Sequence, residues 1–274
     1  MSSLTRGPER IGFCATALSA AQIHNNSVVL PLTAAPQLLI PVAGSTPGAN
    51  GTFFRSDITM FNFASHDQVV KLQWLPGSGG TSTTSTIAIK AQSGIRSADF
   101  VASILGQSGL GSILVTGVNS DGTADVTARL YVSSRVWTRE PGTDGTTSQS
   151  LPAIPTSAVN TQAAALFAAG GADNPANYRV NVGIVNLDPN NMQTFVVSLP
   201  TTSGSTSLFI VTVPAMSMQQ IGLGSGVSST QQINIQNVTG GTTQSNSWIA
   251  YGSTVDNITG DAWSELALAG VTGQ

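Results

Sequence analysis

An all-β fold, two tandem β-sandwiches behind an extended N-terminal segment, is what the sequence predicts, on three observations. The first is a duplication. Phe54–Pro76 (FRSDITMFNFASHDQVVKLQWLP) returns 124 residues later as Tyr178–Pro200 (YRVNVGIVNLDPNNMQTFVVSLP), aligned without a gap. Arg55 falls on Arg179, Asp57 on Asn181, Asn62 on Asn186 and Leu75-Pro76 on Leu199-Pro200, while Ile58, Met60 and Phe63 meet Val182, Ile184 and Leu187. Shared internal spacing of this kind marks two copies of one structural unit. The second is alternation: Phe54, Ser56, Ile58, Met60 and Asn62 point one way, and Arg55, Asp57, Thr59 and Phe61 the other. That is the period of a strand with one face on a core. The third is punctuation, about seven or eight short apolar runs per copy with frequent turn residues between them, the rhythm of a sandwich.

Taken in order, residues 1–27 read as a signal-like or N-terminal segment. Arg6 and Arg10 precede the apolar run Ile11–Ala21, and Ser19-Ala20-Ala21 supplies the small residues of a cleavage site. The first sandwich is expected over 28–155 and the second over 156–274. Val28–Val42 is extended and broken by Pro31, Pro36 and Pro41, which places it at an edge or in a linker. After the strand at Phe54–Asn62, Asp67 starts the return and Val69–Leu75 forms the next strand. Gly77–Thr86 is a solvated hairpin loop and Thr86–Ala91 a third strand. Ser97–Gly106 carries apolar residues at helical spacing with Ser97 as N-cap. Ile113–Val118 and Ala124–Val136 flank Asp121-Gly122, a two-residue hairpin signal, and Ser150–Pro155 closes the copy. In the second copy Ala164–Ala169 enters, Tyr178–Leu187 pairs with Thr194–Leu199, and Leu208–Val213 is the third strand. Gly222–Gly226 replaces the helix, Gly240-Gly241 stands for Asp121-Gly122, Tyr251 matches Tyr131, and Trp263–Ala269 closes the unit.

Composition narrows the function. Charged residues are 8% of the chain, against roughly 25% in a typical soluble domain. An apolar fraction of 41% still allows cores, so the polar surface must be Ser, Thr, Asn, Gln and Gly, which suits an extracellular or cell-surface protein. A net charge of −3 with lysine only at Lys71 and Lys90 leaves no basic stripe for nucleic acid. Cys14 is the only cysteine, so no intramolecular disulfide or cysteine zinc site can form. No apolar run reaches the roughly 18 residues of a membrane span.

Gly51-Thr-Phe-Phe-Arg-Ser-Asp, its echo Tyr178-Arg-Val-Asn-Val-Gly-Ile-Val-Asn-Leu, and the closing Val255-Asp-Asn-Ile-Thr-Gly-Asp resemble a tandem immunoglobulin-like repeat of secreted bacterial surface proteins. The likeness runs from about residue 38 to 270, and the first copy departs at the close, with Arg135-Val-Trp-Thr-Arg in place of Asp256-Asn257. It implies a secreted, non-catalytic pair of immunoglobulin-like sandwiches and supplies no catalytic residue.

The residues themselves point the same way. Catalysis needs a base set against a nucleophile, and the histidines are His24, in the N-terminal segment, and His66, beside Asp67 in a turn. Glutamate occurs only at Glu9, Glu140 and Glu265, too scattered for a glycosidase pair. No catalytic, cofactor-binding or metal residue is assigned, and the chain is read as no enzyme. Asp256, Asn257 and Asp261 crowd three oxygens into one loop, the habit of a calcium site and also of an ordinary turn. Arg55 and Asp57 share a strand face as a surface pair worth about 0–1 kcal/mol. The four Asn-x-Ser/Thr sequons, at Asn25, Asn50, Asn237 and Asn257, are as many as chance supplies in so Ser/Thr-rich a chain. Trp74 and Trp248 belong to cores; Trp137 and Trp263, near strand ends, are the aromatic pair on which cell-surface glycans would stack.

Lysine is missing from the whole second copy, although edge strands are commonly guarded by it. The expectation is therefore a non-catalytic extracellular structural protein, the self-assembling subunit of a fibre, filament or layer. Its partner is itself, joined through strand edges and the N-terminal segment. The alternative is an adhesin-like or glycan-binding module.

Overall fold

A computed structural model describes residues 34–270, apart from 78, 141, 143, 160, 172 and 201–205. The signal-like reading of 1–21, Cys14, His24 and Val28–Thr33 lie outside the described residues. Strands make up 59% of the structure. The first half contains β1 (Gln37–Pro47), β2 (Phe53–Asn62), β3 (Gln68–Pro76), β4 (Thr83–Ile89), β5 (Ser93–Ser97), the single turn α1 (Phe100–Ser103), β6 (Gly109–Val118), β7 (Leu130–Arg139), β8 (Thr146–Pro152) and β9 (Ile154–Pro155). The second half contains β10 (Ala163–Leu166), β11 (Tyr178–Asn186), β12 (Gln193–Pro200), β13 (Thr206–Val213), β14 (Ser217–Ser225), β15 (Ile233–Asn237), β16 (Trp248–Asp256), β17 (Ala262–Leu266) and β18 (Leu268–Ala269).

The pairings repeat strand for strand. One layer of the second half runs β13-β12-β15-β10-β18 and the other β14-β11-β16-β17. The first half has the same two orders, β4-β3-β6-β1-β9 and β5-β2-β7-β8, but its layers are joined. The joint is β1, which is 11 residues long. It pairs with β6 along Gln37–Ser45, across an irregularity between Ile40 and Ala43 that contains Pro41, and its end, Ser45–Pro47, also pairs with β2. A proline fits inside a sheet at such a bulge because no ladder donor is missed there. Pro36–Val42 is thus no edge or linker; its strand residues lie in the middle of the chain's own sheet, already paired and not free to add to a neighbour. The order also differs from an immunoglobulin constant domain, whose first strand shares a layer with the second and whose seventh joins the third and sixth. Here the first strand pairs mainly with the sixth, and the seventh with the second.

Each half buries its own core between its layers. In the first, Ile58, Met60, Leu130 and Val132 face Leu38, Ile40, Leu72, Trp74, Ile113 and Val115, with Phe100 and Val101 of α1 filling one end. In the second, Val180, Val182, Ile184, Trp248 and Ala250 face Leu166, Phe195, Val197, Val211, Val213, Ile233 and Ile235. Each Val, Leu, Ile, Met or Phe among them contributes about 1.5–3 kcal/mol by leaving water. Phe195 and Trp248 meet edge to face at 4.8 Å. A third cluster joins the halves: Leu39, Val42, Val136 and Leu151 pack with Val185, Met218, Ile249 and Tyr251.

Asn62 and Asn186 explain why those positions recur. Both are fully buried, at the ends of β2 and β11. The Asn62 amide donates to the carbonyls of His66 (2.8 Å), Ile89 (3.3 Å) and Lys90 (3.3 Å), and its Oδ1 accepts from the Ala64 N–H (2.9 Å). Asn186 donates to Asn191 (2.9 Å), Val213 (3.1 Å) and Pro214 (3.0 Å), and accepts from Asp188 (2.9 Å). One side chain therefore ties a strand of one layer to the end of the edge strand in the other, twice over.

Several expectations are corrected. The gapless alignment fails after the asparagines. Gln68 and Gln193, both buried, open β3 and β12, six residues after Asn62 and seven after Asn186. The core residues Val70, Leu72 and Trp74 therefore match Phe195, Val197 and Leu199, and the shared Leu-Pro is coincidence. A one-residue slip would have turned that face to solvent. Neither β2 and β3 nor β11 and β12 pair; each connection crosses between layers. Asp121-Gly122 does tip a short reversal, with Val118 bridged to Ala124 and the Asn119 N–H donating to Thr123 O at 2.9 Å, but the chain then crosses between layers: β6 does not pair with β7, nor β15 with β16 beyond Gly240-Gly241. Gly222–Gly226 lies largely within β14, a strand where a helix substitute was expected. The N-cap of α1 is Asp99, not Ser97. Tyr131 stands opposite Phe61, and Ile249 opposite Val185, so Tyr131 matches Ile249 rather than Tyr251.

Candidate functional site

The charged residues of β2 do not pair with each other, as expected of Arg55 and Asp57, but with other strands. Asp57, 7% exposed, receives Arg96 Nε at 2.9 Å and Nη2 at 2.6 Å from β5, and Arg135 Nη2 at 3.3 Å from the facing position of β7. The fork-to-carboxylate geometry is the strong form of such a bond. It holds the Asp57 carboxyl below the usual carboxylate range, the Arg96 hydrogen bond first, against the opposing effect of burial. Arg55 reaches Asp99 at 3.4 Å, with its guanidinium over the rings of Phe53 (4.6 Å) and Trp137 (5.5 Å). These contacts fasten three strands. They offer neither a nucleophile nor a base.

A groove of about 720 Å³ lies beside this cluster, lined by Phe53, Arg55, Asp99, Trp137, Arg139 and Glu140 among others. The Trp137 indole donates to the Ala98 carbonyl at 2.8 Å, and Arg55 sits over the ring. Trp263 lies on β17 instead, 37% exposed and edge-on to Tyr178. The two tryptophans do not line this groove together, whereas Trp74 and Trp248 are buried in the cores.

His66 is exposed in the turn after β2, next to Asp67, which pairs with Lys90 at 2.7 Å. In the closing loop, Asp256 accepts from the Ile258 N–H and the Thr259 hydroxyl (2.8 Å each), Asp261 accepts from the Ala262 N–H (2.9 Å), and Asn257 Oδ1 accepts from Arg179. The aspartate oxygens bond within their own turn and the Asn257 oxygen is taken by Arg179 of β11, and no group of three His, Cys, Asp or Glu side chains that could hold a metal occurs among the described residues.

Glu265 on β17 stands opposite Gly252, with Oε1 buried and unpartnered. Burial pushes its carboxyl up to about 7. In the first half the matching position, opposite Ser134, holds Leu151.

The edges carry the difference between the halves. β8 and β17 face each other across the junction, where the Thr147 hydroxyl donates to Gly260 O and the Ser264 hydroxyl to Ser150 O, both at 2.9 Å. β4 and β13 are matching outer strands, each paired on one side only among the described residues. Ile89 and Val213, both held by the asparagines, fix their register, so Thr84 matches Leu208 and Thr86 matches Ile210. All four are exposed, Leu208 at 64% and Ile210 at 76%. Sequence reasoning noticed the missing lysines but not these two residues. The available signal was Leu208–Val211, apolar on both faces of one strand.

Neither a family model nor a curated protein matches the chain.

Proposed function

We propose that the chain is a non-catalytic extracellular structural protein whose copies assemble into a fibre, filament or surface layer. The observation that carries this reading is how the two halves meet. The second half presents the outer face of β11, β14 and β16, through Val185, Met218, Ile249 and Tyr251. The first half answers with a different surface, β1, β8 and β9 with Val136 of β7. Two copies of one unit thus join through unlike faces, a contact that repeats head to tail unless it closes into a ring. The face of β2, β5 and β7 that corresponds to the one used by the second half carries Phe61, Gly94 and Tyr131 in place of Val185, Met218 and Ile249. A low charge content and a Ser/Thr-rich surface fit an extracellular setting, and the immunoglobulin-like resemblance contributes its two-layer architecture. Negative-stain microscopy with light scattering on the purified chain tests the reading. Oligomers or filaments that grow with concentration are the expected result, and a strict monomer at high concentration contradicts it.

A further inference from the structure

We infer that β13 is a homotypic docking edge, at which two copies of this chain pair β13 against β13 in antiparallel fashion and fuse their five-stranded layers into one sheet. The inference rests on the assembly reading above and adds to its head-to-tail contact a second, two-fold one.

Four observations lead here. First, β13 pairs only with β12 among the described residues, so its other side presents a row of unpaired backbone groups, a template for another strand. Second, the chain contains its own control. The fold is made twice, and the two outward positions that hold Thr84 and Thr86 in β4 hold Leu208 and Ile210 in β13. Threonine suffices for the architecture, so the exposed apolar pair serves something other than folding. Third, no charged side chain occurs from Pro189 to Val255, which includes all of β12 to β15. A charged partner would lose hydration there with nothing to replace it, so a neutral strand is required. Fourth, a groove of about 370 Å³ opens beside the strand, lined by Ile210, Thr212, Pro214, Gln219 and Ile221, with room for the side chains of an added strand.

The other described edges do not meet these terms. β4 ends against the Lys90–Asp67 pair, β5 carries Arg96, β8 and β17 are spent on each other, β9 and β18 are each two residues long, and β14 pairs across a bulge at Val180/Asn181. What remains is β13 itself. Antiparallel self-pairing centred on Phe209 sets Leu208 opposite the partner's Ile210 on the outer face, an apolar cross-strand contact formed twice by the two-fold axis.

The test compares the full chain with Leu208→Thr/Ile210→Thr, which installs the first half's own residues, by sedimentation velocity over a concentration series. A Thr84→Lys/Thr86→Lys variant is the control, and Ile210→Lys a second β13 variant should the double one fold poorly. The result expected is association weakened at least about tenfold by either β13 change and unaltered by the β4 change. Wild-type association that survives both β13 variants overturns this inference and leaves assembly standing. A wild-type chain that stays single at every concentration overturns both.

Discussion

Removing one side chain from each half tests whether the two asparagines do the same work. Asn62→Ala deletes an amide that serves four backbone groups. Two of them, the carbonyls of His66 and Lys90, belong to exposed residues and can return to water. The Ala64 N–H and the Ile89 carbonyl belong to residues that are 7% and 1% exposed, and cannot. An unsatisfied buried backbone group costs about 1–3 kcal/mol, so the pair predicts a loss of about 2–6 kcal/mol. Asn186→Ala strands the Asp188 N–H and the Val213 carbonyl, at 8% and 0% exposure, and predicts the same loss. Asn→Asp should be no milder at either place, because an ionised carboxylate has nothing to donate to three carbonyls. Urea unfolding followed by tryptophan fluorescence reads the change, with Trp74 in one core and Trp248 in the other. A loss below about 1 kcal/mol in either half, or one half tolerating what the other does not, would refute the reasoning.

Glu265 gives the pH prediction. Its unfolded value is near 4.5 and its folded value about 7, so between them the folded chain holds the extra proton. Stability from this group is therefore complete below pH 4.5 and fades as pH rises through about 7, by about 1–2 kcal/mol once partial solvent screening is allowed for. Glu265→Leu, the first half's residue, should remove that slope and raise the melting temperature at pH 8; an unchanged slope speaks against it. Gly183 faces Tyr251, whose hydroxyl donates to Gln220 Oε1 at 2.9 Å while the ring is fully buried. A Cβ there would stand 2.1 Å from the ring, so Gly183→Ala should cost at least about 2–3 kcal/mol in thermal unfolding, and a silent substitution would contradict the packing.

Much of this was legible in the sequence. Alternation along Phe54–Asn62 and Tyr178–Asn186 marked the strands and their buried faces, and the recurrence of Asn62 at Asn186 was visible, though not what the side chains hold. Pairing was not legible, because alternation tells which face is buried and not which strand lies alongside. For that reason the long strands flanking Asp121-Gly122 and Gly240-Gly241 looked like hairpin partners, when the chain crosses between layers there. The extra residue between Leu187 and Gln193 was hidden by a repeated Leu-Pro, and only the pleat, with Trp74 and Leu199 on one side, reveals it. The charged cluster at Asp57 was unreadable for a related reason: Arg96 and Arg135 lie 39 and 78 residues away and meet it only through sheet register. Among the candidate surfaces, the missing lysines were visible, but the contrast of Thr84 and Thr86 with Leu208 and Ile210 needed the correct register first.

Amide exchange along Leu208–Val213, measured on dilute and on concentrated protein, examines most directly whether this chain is made to be joined. Half of these amides already bond to β12; the remainder point outward. Protection of the outward set that rises with concentration, while β4 stays unchanged, is the outcome expected of a strand that finds its mate in another copy. Exchange that is identical at both concentrations would contradict it.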